Sequence, residues 1–203
     1  MSDDTNRYIP PEWAFEFHGH ICPFMPLGYR MGLLALAKLR VEREKDHTLH
    51  VIAELGEGHP QTCLMDGIQA ATGATFGKTL MEKTHWGKLA ATFWFPSKTA
   101  VRYALKQTFL DEFGRFEFFA YRKRGVEPSA IPPKITQEVI DWTLSQSDAA
   151  IYAVSERPDF HYQPPKSSFN KSLCSKCEEY VFERYVRFQD GKPVCIPCSG
   201  YAR

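Results

Sequence analysis

An α+β core followed by a small cysteine-rich module is the architecture this sequence predicts, and three observations predict it. Apolar stripes of helical period are mixed with short runs of strand character, without the regular βαβ repeat of a doubly wound fold. The composition then changes between Glu156 and Asn170, where three prolines and two adjacent serines interrupt any apolar periodicity. Beyond that stretch, four of the six cysteines fall into two Cys-x-x-Cys pairs. The reading is a mixed helix/sheet core over residues 1–156, a linker over 157–171 and a zinc-finger domain over 172–203.

The elements follow in chain order. Pro10–His18 is predicted as a short helix opened by Pro10 and Pro11. After the break at His18-Gly19-His20, Cys22-Pro23 reads as a helix N-cap and first position, where proline needs no amide partner. Leu27, Met31, Leu34 and Ala35 continue it at helical spacing, and Gly28, Gly32 and Ala35 leave room for another backbone to approach. Thr48–Leu55 has strand character and Gly56–Pro60 is a turn. Pro60 marks a further helix start that puts Cys63 in the first turn of a helix reaching Ala71. Leu89–Phe95 and Val101–Thr108 read as strands, Asp111–Arg124 and Thr136–Ser145 as helices, and Ala149–Val154 as a last strand.

Composition bounds the function. A chain of 203 residues, 43% hydrophobic and 14% aromatic, can build a real core. Its 25 basic and 24 acidic residues leave no global field to gather nucleic acid or an anionic membrane. The N-terminus is polar, without the apolar segment of a secretory signal, and Met31–Leu39 is too short to span a bilayer. The expectation is a soluble, cytoplasmic protein with no membrane partner. In that compartment six cysteines point to metal or thiol chemistry before disulfides.

Cys174-x-x-Cys177 and Cys195-x-x-Cys198 are separated by seventeen residues. Two residues between cysteines turn both sulfurs of a knuckle towards one ion, and two knuckles complete the tetrahedron zinc prefers. Between them Tyr180–Phe188 alternates apolar and charged residues and Asp190-Gly191 signals a hairpin turn, which brings the second knuckle back to the first. So small a unit needs the free energy of metal binding to fold. Cys174, Cys177, Cys195 and Cys198 are therefore the predicted ligands of a structural zinc. Lys171, Lys176, Arg184, Arg187, Lys192 and Arg203 are offset in part by Glu178, Glu179, Glu183 and Asp190. Tyr180, Tyr185 and Tyr201 can stack on bases or pack the hairpin, so a protein or nucleic-acid partner of the finger stays open.

In the core, His18-Gly19-His20-Ile21-Cys22 places two imidazoles and a thiol around a flexible glycine, a donor set suited to zinc and other late transition metals. At a helix N-terminus the Cys22 thiol is expected to have a lowered pKa. The candidate core site is His18, His20, Cys22 and Cys63, with His59 or Asp66 nearby. The bland alternative makes the histidines turn residues and the cysteines small buried apolar groups. The run from Ala71 to Thr79 has the wrong glycine spacing for a P-loop and reads as a turn able to present Thr75, Lys78 and backbone amides to a ligand. His85 and Lys88 are expected at the surface.

Phe17-His18-Gly19-His20-x-Cys22-Pro23, followed by Gly28-x-Arg30, resembles the opening signature of the FmdE family, named for the formylmethanofuran dehydrogenase operon. Cys63-x-x-Asp66-Gly67-Ile68-Gln69, Thr72-Gly73-x-Thr75-Phe76-Gly77-Lys78 and Gly87-Lys88 resemble its middle block, and the tail resembles the zinc finger some members carry. The resemblance implies an α+β core, an intertwined homodimer and a cleft holding the His, Cys and Asp positions. The family name comes from association with a molybdenum or tungsten enzyme that oxidises formylmethanofuran reversibly, and members occur outside that pathway. The matched positions are His18, His20, Cys22, Gly28, Arg30, Cys63, Asp66, Thr75 and Lys78. Phe24 replaces the usual glycine, which is expected to narrow access, and Ala74 replaces a cysteine many members have.

Two functions are expected. One is a metal-binding accessory or regulatory protein with a structural zinc finger and a second transition metal or ligand in the core. The other is a metal-dependent enzyme acting on a one-carbon or pterin-like substrate, with Cys22, Asp66 and Lys78 as catalytic candidates.

Overall fold

The computed structural model describes residues 5–58, 62–166 and 168–201, which divide into two compact units, Met1–Phe160 and His161–Arg203. Its elements are α-helical and β-stranded in mixed order, an α+β fold. In the first unit a 3-10 turn at Thr5–Tyr8 precedes α1 (Glu12–His18), α2 (Phe24–Leu39), β1 (His50–Ala53), α3 (Cys63–Thr72), β2 (Met81–Lys83), β3 (Ala90–Trp94) and β4 (Ala100–Leu105). Then come α4 (Gln107–Phe113), α5 (Glu117–Lys123), a 3-10 turn at Pro128–Ala130, α6 (Pro133–Ser145), α7 (Asp148–Ile151) and β5 (Tyr152–Arg157).

The five strands form one sheet in the order β2-β1-β3-β4-β5. β1 and β2 are parallel, joined through α3, and the other neighbours are antiparallel. The alternation of side chains sends Val51, Phe93, Val101 and Tyr103 to one buried face. On that face lies α2, held by two phenols: Tyr152 donates to the Leu27 carbonyl at 2.7 Å and Tyr103 to the Leu34 carbonyl at 3.2 Å.

α2 and α3 pack at backbone contact because glycines face the joint. A Cβ on Gly28 would lie 2.0 Å from the Leu64 carbonyl oxygen, and one on Gly67 2.1 Å from that of Met25. Gly32 faces Ala71 and Thr72 in the same way. Gly28 thus meets Leu64 and Ile68 while Gly32 meets the residues a turn further on, so the helices run parallel and both N-termini open at one end. Leu27, Met31, Leu64 and Ile68, all fully buried, fill the adjoining core, each worth about 1.5–3 kcal/mol relative to exposure.

Arg30 is a structural residue in this arrangement. Its guanidinium is buried, bonds Asp148 through Nε at 2.6 Å, and lies 4.2 Å over the Tyr8 ring. The Tyr8 hydroxyl donates to the other Asp148 oxygen at 3.0 Å. One ion pair therefore ties α2 to the start of α7 and to the N-terminal turn.

Several boundaries differ from the sequence reading. Asp111–Arg124 is two helices, broken at Gly114–Phe116, because the bend brings Phe113, Phe116 and Phe119 onto one aromatic cluster with Trp142. Phe24 joins that cluster edge-on against Phe113 at 5.3 Å and is buried there. The strand predicted over Val101–Thr108 stops at Leu105, where α4 takes over. The strand predicted from Ala149 starts as a helical turn, with the Ser147 hydroxyl accepting the Ala150 N–H. β5 then runs on to Arg157, because Glu156 and Arg157 continue the ladder to Val101 and Ala100. β2, three residues long, was too short for alternation to reveal. Pro60 lies outside the described residues, and α3 is described from Cys63.

The second unit contains β6 (Lys171–Leu173), β7 (Tyr180–Phe182), a 3-10 turn at Glu183–Tyr185, β8 (Arg187–Gln189), β9 (Lys192–Val194) and α8 (Ile196–Ser199). It holds two short hairpins, β6-β7 and β8-β9, where the sequence predicted one. Asp190 and Gly191 both have positive φ, 48° and 72°, the geometry a two-residue hairpin turn demands. No helix among the described residues is long and apolar enough to cross a membrane.

Candidate metal centres

Two groups of side chains have the donor types and proximity to hold a metal ion: Cys174, Cys177, Cys195 and Cys198, and His18, His20, Cys22 and Cys63. Within each, one ligand atom from every residue lies within 4.8 Å of all the others.

In the second unit, each cysteine pair sits on a turn stabilised by backbone hydrogen bonds. The Glu178 N–H donates to the Cys174 carbonyl at 3.0 Å, and Cys174 N–H to the Glu179 carbonyl at 2.9 Å, closing the first knuckle. Cys195 precedes α8 and its sulfur accepts the Cys198 N–H at 3.4 Å, while its own N–H donates to the Cys174 sulfur at 3.3 Å. The N–H groups of Cys177, Cys195 and Lys176 hold the Cys174 thiol down at about 6. Cys198 is pushed up to about 12, first by its hydrogen bond to Cys195. Four sulfurs this close cannot all be thiolates on their own; a divalent cation removes that conflict. Lys171 lies 4.2 Å over the Tyr180 ring, and Tyr180, Tyr185 and Tyr201 are exposed. Arg203 lies outside the described residues.

In the core, the four residues come from three places. His18 ends α1, and Gly19 follows it at φ 87°, a left-handed cap that turns the chain so that His20 stacks near His18 with ring centroids 4.3 Å apart. Cys22 lies just before α2, whose N-cap is Pro23, and Cys63 is the first residue of α3. The parallel, glycine-lined contact of α2 and α3 is what sets the two thiols side by side. Both cysteines are buried, and His18 Nε2 is 3.5 Å from the Cys22 sulfur.

Behind His18 stands a carboxylate. Asp66 Oδ2 is 2.8 Å from His18 Nδ1, and Asp66 Oδ1 accepts from Gln69 Nε2 at 3.0 Å. Gln69 Oε1 in turn accepts the Phe76 N–H at 2.8 Å. A histidine whose outer nitrogen rests on a carboxylate is the arrangement that aims imidazole at metals. The hydrogen bond to Asp66, then that to Cys63, pushes His18 up to about 9.

The expected lowering of the Cys22 thiol is not what the structure gives. The N–H groups of Met25 and Phe24 act in that direction, but Cys63 first and burial second push the thiol well above its ordinary value. Helix N-terminal amides lose to a second sulfur in a dry pocket.

His18, His20, Thr62, Cys63, Met65, Asp66, Gln69 and Phe76 line an open depression of about 440 Å³. Lys78 does not line it. Its ammonium donates to the Glu44 carbonyl at 3.3 Å, and Thr75 Oγ1 accepts the Lys78 N–H within the same turn. Phe24 is turned into the aromatic cluster and leaves the depression's mouth clear. Ala74 is buried and supplies no ligand. His59 lies outside the described residues. His85 is exposed, 3.4 Å from Glu57, and Lys88 lies 5.8 Å from the Trp86 ring. Gln69 was not singled out from sequence, although its spacing from Asp66 puts both on one helix face.

The comparisons agree on kinship. A family model described as "FmdE, Molybdenum formylmethanofuran dehydrogenase operon" matches residues 17–153. A protein of Archaeoglobus fulgidus named "Probable S-adenosyl-L-methionine-binding protein" is 30% identical over 204 aligned positions, covering 92% of this chain. The chain spans about half, 51%, of that relative's length. A crystal structure of a tungsten formylmethanofuran dehydrogenase FmdE-like protein from Syntrophus aciditrophicus superposes with a TM-score of 0.57 at 20% identity. That alignment covers 98% of this chain and 94% of the other and shows a shared fold.

Proposed function

The chain belongs to the FmdE family, and from that membership and its two donor clusters we propose that it is a metal-binding accessory or regulatory protein carrying two ions. Zinc at Cys174, Cys177, Cys195 and Cys198 holds the second unit together, as four thiolates in two knuckles favour. A transition metal in the core is bound by His18, His20, Cys22 and Cys63. The observation that carries the core assignment is the carboxylate behind His18: a turn histidine has no need of Asp66 at 2.8 Å while its other nitrogen faces two thiols. Two imidazoles and two thiolates suit zinc and its late neighbours better than magnesium or calcium. Homodimerisation belongs to the same proposal and rests on the family resemblance; mass-resolved size-exclusion chromatography of the full chain tests it.

Elemental analysis of the full chain beside Cys22→Ala and Cys174→Ser tests the assignment. Two metal equivalents in the parent and one in each variant support it. A parent with one equivalent that survives Cys22→Ala would remove the core metal.

The enzyme reading is favoured by one feature: the depression opens directly over His18, His20 and Cys63. A substrate resting there would meet the metal, with Asp66 orienting a ligand rather than serving as a free acid or base. The Archaeoglobus relative's name makes S-adenosyl-L-methionine the first small molecule to titrate into that depression, beside one-carbon and pterin-like compounds. Loss of any turnover found in this way on His20→Ala would support the reading.

A further inference from the structure

We infer that Gln69 is a positioning residue of the core cluster: it fixes which nitrogen of His18 faces the thiols and ties that choice to the turn bearing Phe76. The inference rests on the core metal reading above and adds a residue that reading does not contain.

The argument follows the polarity of one hydrogen-bond chain. The Phe76 backbone N–H is a donor whatever the conditions, so the Gln69 atom 2.8 Å away must be its carbonyl oxygen. A flipped amide would set two donors against each other. With Oε1 committed, Nε2 must face Asp66, and it donates to Oδ1 at 3.0 Å. The other Asp66 oxygen, as part of an ionised carboxylate, then accepts the Nδ1–H of His18 at 2.8 Å. That leaves the lone pair of a neutral His18 on Nε2, the atom 3.5 Å from the Cys22 sulfur. The direction of every link follows from an amide that cannot change sign.

Geometry supports a positioning role in two ways. Asp66 and Gln69 stand three residues apart on α3, one turn beyond Cys63, so the same helix supplies a thiol and the support of an imidazole. Phe76 is exposed at 69% and lines the depression that His18 and Cys63 also line. A molecule resting in that depression touches the residue whose N–H orients Gln69, so occupancy of the depression and orientation of His18 are linked through two hydrogen bonds.

Two measurements on the full chain test this. In competition with a chromophoric chelator, with the cobalt(II) d–d spectrum as a second readout, Gln69→Ala should weaken core metal binding about tenfold while the finger equivalent is unchanged. Asp66→Ala should weaken it by about 10–100-fold, and Asp66→Ala/Gln69→Ala no further than Asp66→Ala alone. Equal affinity of Gln69→Ala and parent, or additive losses in the double variant, would overturn the inference. The second measurement needs no metal: imidazole 15N–1H correlation of the metal-free chain should show a slowly exchanging His18 Nδ1–H that exchanges faster with solvent in Gln69→Ala. An unchanged rate overturns the inference even if the core binds no ion. A changed rate in a parent chain that takes up no second metal keeps Gln69's role and rejects the metal reading alone.

Discussion

Gly28 and Gly67 face each other across the α2–α3 contact so closely that the Cβ of an alanine at Gly67 would lie 2.9 Å from the Gly28 carbonyl carbon. The pair decides more than packing, because Cys22 and Cys63 sit at the adjoining ends of those helices.

Gly28→Ala should therefore force the helices apart. Its Cβ would meet the Leu64 carbonyl oxygen at 2.0 Å, a backbone atom that cannot rotate away. Urea denaturation should show a loss of at least about 1–3 kcal/mol, and the core metal should be lost while the finger retains its own. Wild-type stability in Gly28→Ala would mean the helices have slack that the structure does not show.

Asp148→Ala should be strongly destabilising, by about 3 kcal/mol, because it leaves the Arg30 guanidinium buried without its counter-charge. Combining it with Arg30→Met should recover part of the loss. The check is a double-mutant cycle by chemical denaturation; a double variant as unstable as Asp148→Ala would locate the effect elsewhere.

Glu54 and Arg102 give a pH prediction away from the donor clusters. Glu54 is buried and receives both Arg102 Nε at 2.6 Å and a terminal nitrogen at 2.7 Å, which hold its carboxyl below the usual value. A depressed folded-state pKa stabilises the fold above the unfolded pKa of about 4.3 and is lost as pH falls through the folded value. Glu54→Gln should cost about 2 kcal/mol near neutral pH, with the gap to wild type closing below pH ~4. Stability curves from pH 3 to 7 test it, and a gap independent of pH would contradict it.

Chelation should act unevenly on the two units. With its metal removed, the His161–Arg203 unit should lose structure, since its strands are three residues long and most of its large apolar side chains are exposed. The sheet and helices of the first unit have a buried core and should persist. Amide spectra before and after chelation distinguish the two sets of resonances; simultaneous collapse would show that the core depends on the finger.

What was legible in the sequence was whatever repeats or clusters locally. Two Cys-x-x-Cys pairs and Asp190-Gly191 declared the finger, and the small residues at Gly28 and Gly32 declared that something packs on α2. The grouping of Cys63 with His18, His20 and Cys22 was legible as a hypothesis because the residue types match. The Asp66–Gln69–Phe76 chain was not, since nothing local says that a side chain on α3 will meet a histidine at the end of α1. Lys78 shows the reverse failure: a glycine-rich, basic turn looks ligand-facing, yet its ammonium bonds a nearby carbonyl. The break in Asp111–Arg124 escaped for a third reason, because three-dimensional packing of phenylalanines overrode a sequence with adequate helix propensity.

The parallel contact of α2 and α3 also fixes an order of events. The finger's sulfurs sit in turns that form within a few residues of each other, so that site can be assembled while neighbouring chain is still unstructured. The core thiols belong to segments separated by a helix, a strand and their connections. They meet only after the glycine faces have docked and the entropy of closing that loop has been overcome. An ion placed there would therefore arrive late, act as a clasp on tertiary structure already built, and slow the separation of the two helices more than it hastens their meeting.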